Sequence, residues 1–103
     1  MPWVTVCPIA ALAEARPLGV DADGLAVCLV RLGDEVFAVH DECTHEAVPL
    51  SEGEVDGHTI ECWRHGSRFD LRSGEVLNLP AVVPVVTYPT RVTGGTVQVE
   101  VPR

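Results

Sequence analysis

Three observations predict an all-β fold: an antiparallel base built from both ends of the chain, with a smaller lobe inserted in its middle. Apolar and polar residues alternate near the C-terminus, where Val97, Val99 and Val101 share one face, and such alternation marks a half-buried strand. Eighteen valines supply much of an apolar content of 47 %, and β-branched side chains favour strands. Glycine-bearing turns separate the apolar runs where hairpins would fold back.

Taken in order, Trp3-Val4-Thr5-Val6-Cys7 reads as a first strand and Ala10–Ala15 as one helical turn. Gly24–Leu32, the turn Gly33-Asp34 and Glu35–His40 form a hairpin. The middle then changes character. Residues 41–84 carry three of the four histidines and two of the four cysteines, with turns at Gly57 and Gly74. Short strand candidates there are His58–Glu61, Arg68–Asp70 and Val76-Leu77. Pro80, Pro84 and Pro89 exclude a helix and mark an ordered loop. Tyr88–Val92, the turn Thr93-Gly94-Gly95 and Thr96–Val101 make the last hairpin. The expected organisation is one domain over 1–103, with a base of 1–40 and 85–103 and a lobe of 41–84.

A length of 103 residues suits one domain. Seven basic against fifteen acidic residues leave a net charge of −8. Such a chain does not gain from counterion release on nucleic acid and is repelled by anionic membranes. A partner with a basic docking patch suits it better. High apolar content argues against disorder. The most apolar stretch, Leu79–Val86, holds two prolines and falls far short of the ~20 residues of a membrane span. With no basic lead-in at Met1-Pro2-Trp3 there is no signal-peptide pattern. The expectation is a soluble cytoplasmic protein, in which disulfides are disfavoured.

Two clusters carry the chemistry: Cys43-Thr44-His45 and Cys62-Trp63-Arg64-His65-Gly66. Thiolate and imidazole together are transition-metal ligands. Each cluster offers one sulfur and one nitrogen, whereas a zinc finger pairs its cysteines first and its histidines second. That order suits a two-iron site with both sulfurs on one iron and both nitrogens on the other. A mononuclear zinc site stabilising an interaction module remains the alternative of a different class.

With its shoulders, Asp41-Glu42 before the first cluster, Leu50-Ser51-Glu52-Gly53 after it, and Ile60-Glu61 and Ser67-Arg68-Phe69-Asp70 around the second, the chain resembles the Rieske [2Fe–2S] proteins. More narrowly it resembles the ferredoxin components of bacterial multicomponent aromatic-ring dioxygenases. Ser73-Gly74-Glu75 and the Pro80, Pro84, Pro89 trailer fit as well. The resemblance implies a Rieske-type antiparallel β-sandwich or barrel with a cluster-binding lobe and one [2Fe–2S] cluster per chain. Cys43 and Cys62 would bind the inner iron, His45 and His65 the outer, redox-active one. It also implies a monomeric electron carrier, not an enzyme. Its partners would be a flavin-dependent ferredoxin reductase and a terminal Rieske-type oxygenase. The small subunits of nitrite reductases resemble this architecture too, but often lack the ligands that are present here.

Replacing two thiolates by two imidazoles makes the cluster two charges less negative and raises its potential into a range of roughly −150 to +300 mV. Respiratory-type relatives add a cysteine to each loop and a tyrosine near the cluster. The corresponding positions here are Val48, Arg64 and Phe69, so the disulfide cannot form and one hydrogen bond is lost, while Ser67 is left as a donor to a cluster sulfide. The expectation is a potential near the bottom of the range. Arg64 is either a positive charge beside the cluster or a solvated loop residue. Val48, Leu50, Trp63 and the Leu79-Pro80 to Pro84 segment are expected to shield the metal, and Gly66 to allow a turn that aims amides at it. Cys7 and Cys28 read as free thiols on strands, His40 as structural, His58 as an exposed turn residue. Glu42, Glu46, Glu52, Glu54 and Asp56 are a solvated face or part of a docking surface.

Overall fold

The computed structural model describes residues 2–102. Strands take 47 % of the chain and helical turns 6 %. Among the described residues the ten strands are β1 (Trp3–Pro8), β2 (Leu18–Ala22), β3 (Leu25–Leu32), β4 (Glu35–His40), β5 (Glu54–Asp56), β6 (Thr59–Glu61), β7 (Arg68–Asp70), β8 (Thr87–Tyr88), β9 (Thr90–Thr93) and β10 (Thr96–Glu100). They form three antiparallel sheets, ordered β1-β10-β9, β2-β3-β4-β8 and β5-β6-β7.

The β3–β4 hairpin explains how the sheets stack. Val27, Leu29, Val36 and Ala38 join Val97, Val99 and Val101 in one core, between the first two sheets. The alternate residues Cys28, Val30 and Val39 join a second core with Cys43, Cys62, Ile60, Leu50, Phe69 and Leu71. Side chains on a strand alternate between faces, so β3 is buried on both. Hence Val27–Val30 is an unbroken apolar run, fully buried throughout. A strand covered on one face only would have alternated.

Several sequence expectations need adjustment. The helical turn expected over Ala10–Ala15 is a short 3-10 turn at Ile9–Ala11, and beyond it Glu14 bridges to Arg31. β2 was not expected at all. It pairs with β3 from Leu18↔Leu29 to Ala22↔Leu25, across the Asp23-Gly24 turn whose φ angles are 54° and 93°. Gly19 weakens its strand signal for a reason: a Cβ there would lie 2.8 Å from Asp41 Oδ2 and 2.9 Å from Ser51 Oγ. β5 was likewise unexpected. The Tyr88–Val92 strand is divided at Pro89, with β8 pairing to β4 and β9 to β10, so the chain changes sheet there. Val76 makes only a single bridge, to Phe69.

Candidate metal centre

Two loops and one proline-rich segment converge beyond the second core. The first loop leaves β4 and returns to β5. Its mouth is closed by Asp41, whose Oδ1 accepts the Ser51 N–H and Oδ2 the Ser51 hydroxyl, both at 2.7 Å. Inside it, Cys43 N–H donates to Val48 C=O at 2.9 Å and Val48 N–H to Glu46 C=O at 2.8 Å. The second loop joins β6 to β7. Cys62 N–H donates to Ser67 C=O at 2.8 Å, and Gly66 N–H to Cys62 C=O at 3.1 Å. That tight turn needs Gly66 at φ +78°, which glycine adopts without strain. Asn78 braces it from outside, accepting the Arg68 N–H at 2.6 Å and donating to Gly66 C=O at 3.1 Å.

The third segment lies across both loops. Thr44 hydroxyl donates to Val83 C=O at 2.6 Å, and Ala81 N–H donates to the fully buried Ser67 hydroxyl at 3.0 Å. Ala81 and Val85 pack into the second core. In the sequence, Asp41 and Thr44 stand only as parts of the motif, without a role, and Asn78 not at all. Their roles come from backbone geometry that no residue spacing reports.

These scaffolds sort the four candidate ligands into two pairs. Cys43 and Cys62 are both buried, free of disulfides, and close enough that, besides burial, the Cys43 thiol pushes the Cys62 pKa up. Burial pushes the Cys62 thiol up, partly offset by backbone N–H donors at Arg64 and His65; a bound cation would reverse that balance and favour thiolate. His45 and His65 lie outward, 37 % and 46 % exposed at the side chain. Their rings meet edge-to-face at a centroid distance of 5.4 Å. Among the described residues, the one group of three ligand atoms within 4.8 Å of each other is His45, Glu46 and His65, and neither sulfur joins it. A tetrahedral zinc with bonds of ~2.0–2.3 Å needs all four donors within about 4 Å of one another. Two separated pairs, sulfur inside and nitrogen outside, fit a binuclear cluster better.

The surrounding residues divide. Leu50 and Phe69 are fully buried and Val48 nearly so, as a shield requires, and Pro80 is half-buried. Trp63 and Leu79 do not shield: they are 54 % and 75 % exposed. Cys62 at the loop's start takes the inward position, which leaves its neighbour Trp63 pointing to water. Arg64 is not a free solvated charge, because its Nε lies 3.2 Å from Glu46 Oε2 and its guanidinium 6.0 Å from the Trp63 ring. His58 is half-buried and stacks edge-on against Phe37 at 5.6 Å, so the expected exposed turn residue is packed instead. His40 N–H donates to Val86 C=O at 2.8 Å, tying β4 to the proline segment.

The Rieske [2Fe-2S] domain pattern matches residues 2–89. The chain belongs to the Rieske [2Fe–2S] family. It is 36 % identical over 100 residues, 96 % of this chain and 93 % of the other, to the 3-phenylpropionate/cinnamic acid dioxygenase ferredoxin subunit of Escherichia coli K12. Among solved structures it resembles the ferredoxin of carbazole 1,9a-dioxygenase from Nocardioides aromaticivorans IC177, with 36 % identity, a TM-score of 0.91, and coverage of 96 % and 97 % of the two chains. The complex of reduced oxygenase and oxidized ferredoxin in carbazole 1,9a-dioxygenase gives 34 % identity, a TM-score of 0.88 and coverage of 94 % and 91 %. A Mycobacterium tuberculosis protein described as an NADH-dependent nitrite reductase small subunit gives 32 % identity, a TM-score of 0.87 and coverage of 99 % and 97 %. The Rieske family defines the cofactor as a [2Fe–2S] cluster. The ferredoxin-type Rieske chains are electron-transfer components, not catalysts.

Proposed function

We propose that Cys43 and Cys62 hold one iron of the cluster and His45 and His65 the other. On this reading the chain passes single electrons from a flavin-dependent NAD(P)H reductase to a terminal oxygenase that hydroxylates an aromatic compound. The observation that supports it best is the sorting of donors: thiols buried against each other, imidazoles side by side at the surface. When bound, the cluster supplies a one-electron ferric/ferrous couple. The chain's own residues do the rest. Buried sulfurs would keep water from the iron they hold, and exposed imidazoles would offer the electron a short path to a docked partner.

The partner's contact surface follows from what surrounds those imidazoles. Thr44 fastens Val83 to the histidine-bearing loop, and Trp63, Leu79, Val82 and Val83 leave large apolar side chains exposed. A rim of that kind, covered transiently, suits a shuttle. Residues 41–84 would act as the cluster lobe on a base of 1–40 and 85–103. No helix among the described residues is long and apolar enough to cross a membrane, and a cytoplasmic monomer is the setting that fits a diffusing carrier.

The test is metal analysis with EPR on anaerobically purified, reduced protein. The expected outcome is two irons and two sulfides per chain, with nitrogen hyperfine coupling lost in His45→Ala and His65→Ala. One zinc per chain and no EPR signal would overturn the assignment. The likeness to a nitrite reductase small subunit supports a second acceptor class. Electron delivery to a sirohaem enzyme, with none to a dioxygenase, would favour it.

A further inference from the structure

We propose that the ion pair between Glu46 and Arg64 is the clasp that fixes the distance between the two histidine-bearing loops; the idea rests on the ligand assignment above. Each loop is closed by hydrogen bonds to itself: Cys43 to Val48 in the first, Cys62 to Ser67 and Gly66 to Cys62 in the second. Among the described residues no backbone hydrogen bond joins residues 43–49 to residues 62–67, and both loop cysteines are free of disulfides. The proline segment touches each loop, but at different points, Val83 on Thr44 and Ala81 on Ser67.

Among the described residues, apart from the buried approach of Cys43 to Cys62, polar contact across the gap comes through the Glu46 side chain. Glu46 Oε2 lies 3.2 Å from Arg64 Nε, while its Oε1 lies 3.3 Å from His65 Nδ1 and 4.0 Å from His45 Nε2. Glu46 follows His45 in sequence and Arg64 precedes His65, so the pair stands directly beside both rings. Glu46 is 32 % and Arg64 52 % exposed at the side chain. An exposed pair stabilises a fold only modestly. That is small for a whole protein but matters for two short loops whose other direct ties, among the described residues, are the approach of Cys43 to Cys62 and the edge contact of the imidazoles. The clasp also sets charge: Arg64 is neutralised by Glu46, so neither acts on the cluster as a lone ion. Glu46 and Arg64 are positioning residues that act through the histidines.

Four proteins test this: wild type, Glu46→Gln, Arg64→Ala and the exchanged pair Glu46→Arg with Arg64→Glu. The rate of iron release to a chelator is followed by the visible absorption of the cluster, with the midpoint potential taken on the same samples. Each single variant should release iron roughly two- to five-fold faster, and the exchanged pair should recover much of the loss. Salt should speed release from the wild type and leave the single variants nearly unmoved. The potential should fall in Arg64→Ala, which bares a negative charge, and rise in Glu46→Gln. If the wild type holds its cluster yet releases iron at a rate independent of salt, the clasp is wrong. Wild-type rates in both single variants would overturn it equally. A wild type without a [2Fe–2S] cluster would instead refute the ligand assignment itself. Should a variant fail to fold, the wild-type salt dependence still decides.

Discussion

Ser67 is the side chain on which two kinds of energy meet. It is the fully buried polar residue of the second loop, and its hydroxyl oxygen accepts the Ala81 N–H at 3.0 Å. An oxygen so used keeps its own proton to donate, and a cluster sulfide is the acceptor the Rieske resemblance provides. Phe69, also fully buried, brings no hydroxyl, so on the proposed reading Ser67 would be the side-chain donor to the cluster. Ser67→Ala should therefore do two things. It should lower the midpoint potential, since a hydrogen bond to sulfide favours the reduced cluster. It should also destabilise the protein by about 1–3 kcal/mol, because the Ala81 N–H is left buried without a partner. Redox titration and thermal melting on one preparation separate the two. A stability loss with an unmoved potential would confine Ser67 to holding the proline segment. The wild-type potential should itself lie near the bottom of the roughly −150 to +300 mV Rieske range.

At the scale of elements, the turn after β7 is held by a carboxylate that acid would neutralise. Asp70 Oδ1 accepts N–H bonds from Arg72 at 2.7 Å and Ser73 at 3.2 Å, and Oδ2 lies 3.3 Å from the Arg72 guanidinium. The Arg72 side chain holds the Asp70 carboxyl below its usual value, with the turn's N–H groups helping against the cost of burial. A carboxyl whose pKa is lower folded than unfolded adds stability above its unfolded pKa of about 4. That contribution is lost as pH falls through the folded value. Asp70→Asn should thus melt below the wild type at neutral pH, and the two curves should converge as pH falls below about 4. A gap that persists unchanged into acid would mean the charge is irrelevant to the turn. The same scale shows what was legible in the sequence. The β3–β4 hairpin and β10 were readable because their burial is regular and their turns contain glycine. β2 was not, because close approach of Asp41 and Ser51 demands Gly19 and removes an apolar signal. β5 is three residues long with one half-buried valine, too short for a period to register. The four candidate ligands were legible as a spacing, and the resemblance implied an inner sulfur pair and an outer nitrogen pair; what was not legible is the loop geometry, set by Asp41, Gly66 and Asn78, that buries one pair and exposes the other.

The whole molecule has a net charge of −8 and an apolar rim beside its histidines, and these act over different ranges. Glu42, Glu52, Glu54 and Asp56 are exposed, whereas Glu46 is engaged by Arg64. The first four are thus among the charges available to steer a basic partner. Long-range attraction accelerates encounter and is screened by salt, with a Debye length of about 30 Å at 0.01 M falling to about 8 Å at 0.15 M. Burial of Trp63, Val82 and Val83 in a docked complex acts only at contact and is far less sensitive to salt. Turnover of the reconstituted reductase–ferredoxin–oxygenase chain should therefore fall with ionic strength when this protein is limiting, and flatten when it is saturating. Replacing Glu54 and Asp56 by Gln and Asn should reduce the salt slope while leaving the saturated rate alone. Trp63→Ala should instead weaken docking by a similar factor at every salt concentration. A limiting rate that is flat from low to high salt would remove charge from the encounter and leave the apolar rim as the whole of recognition.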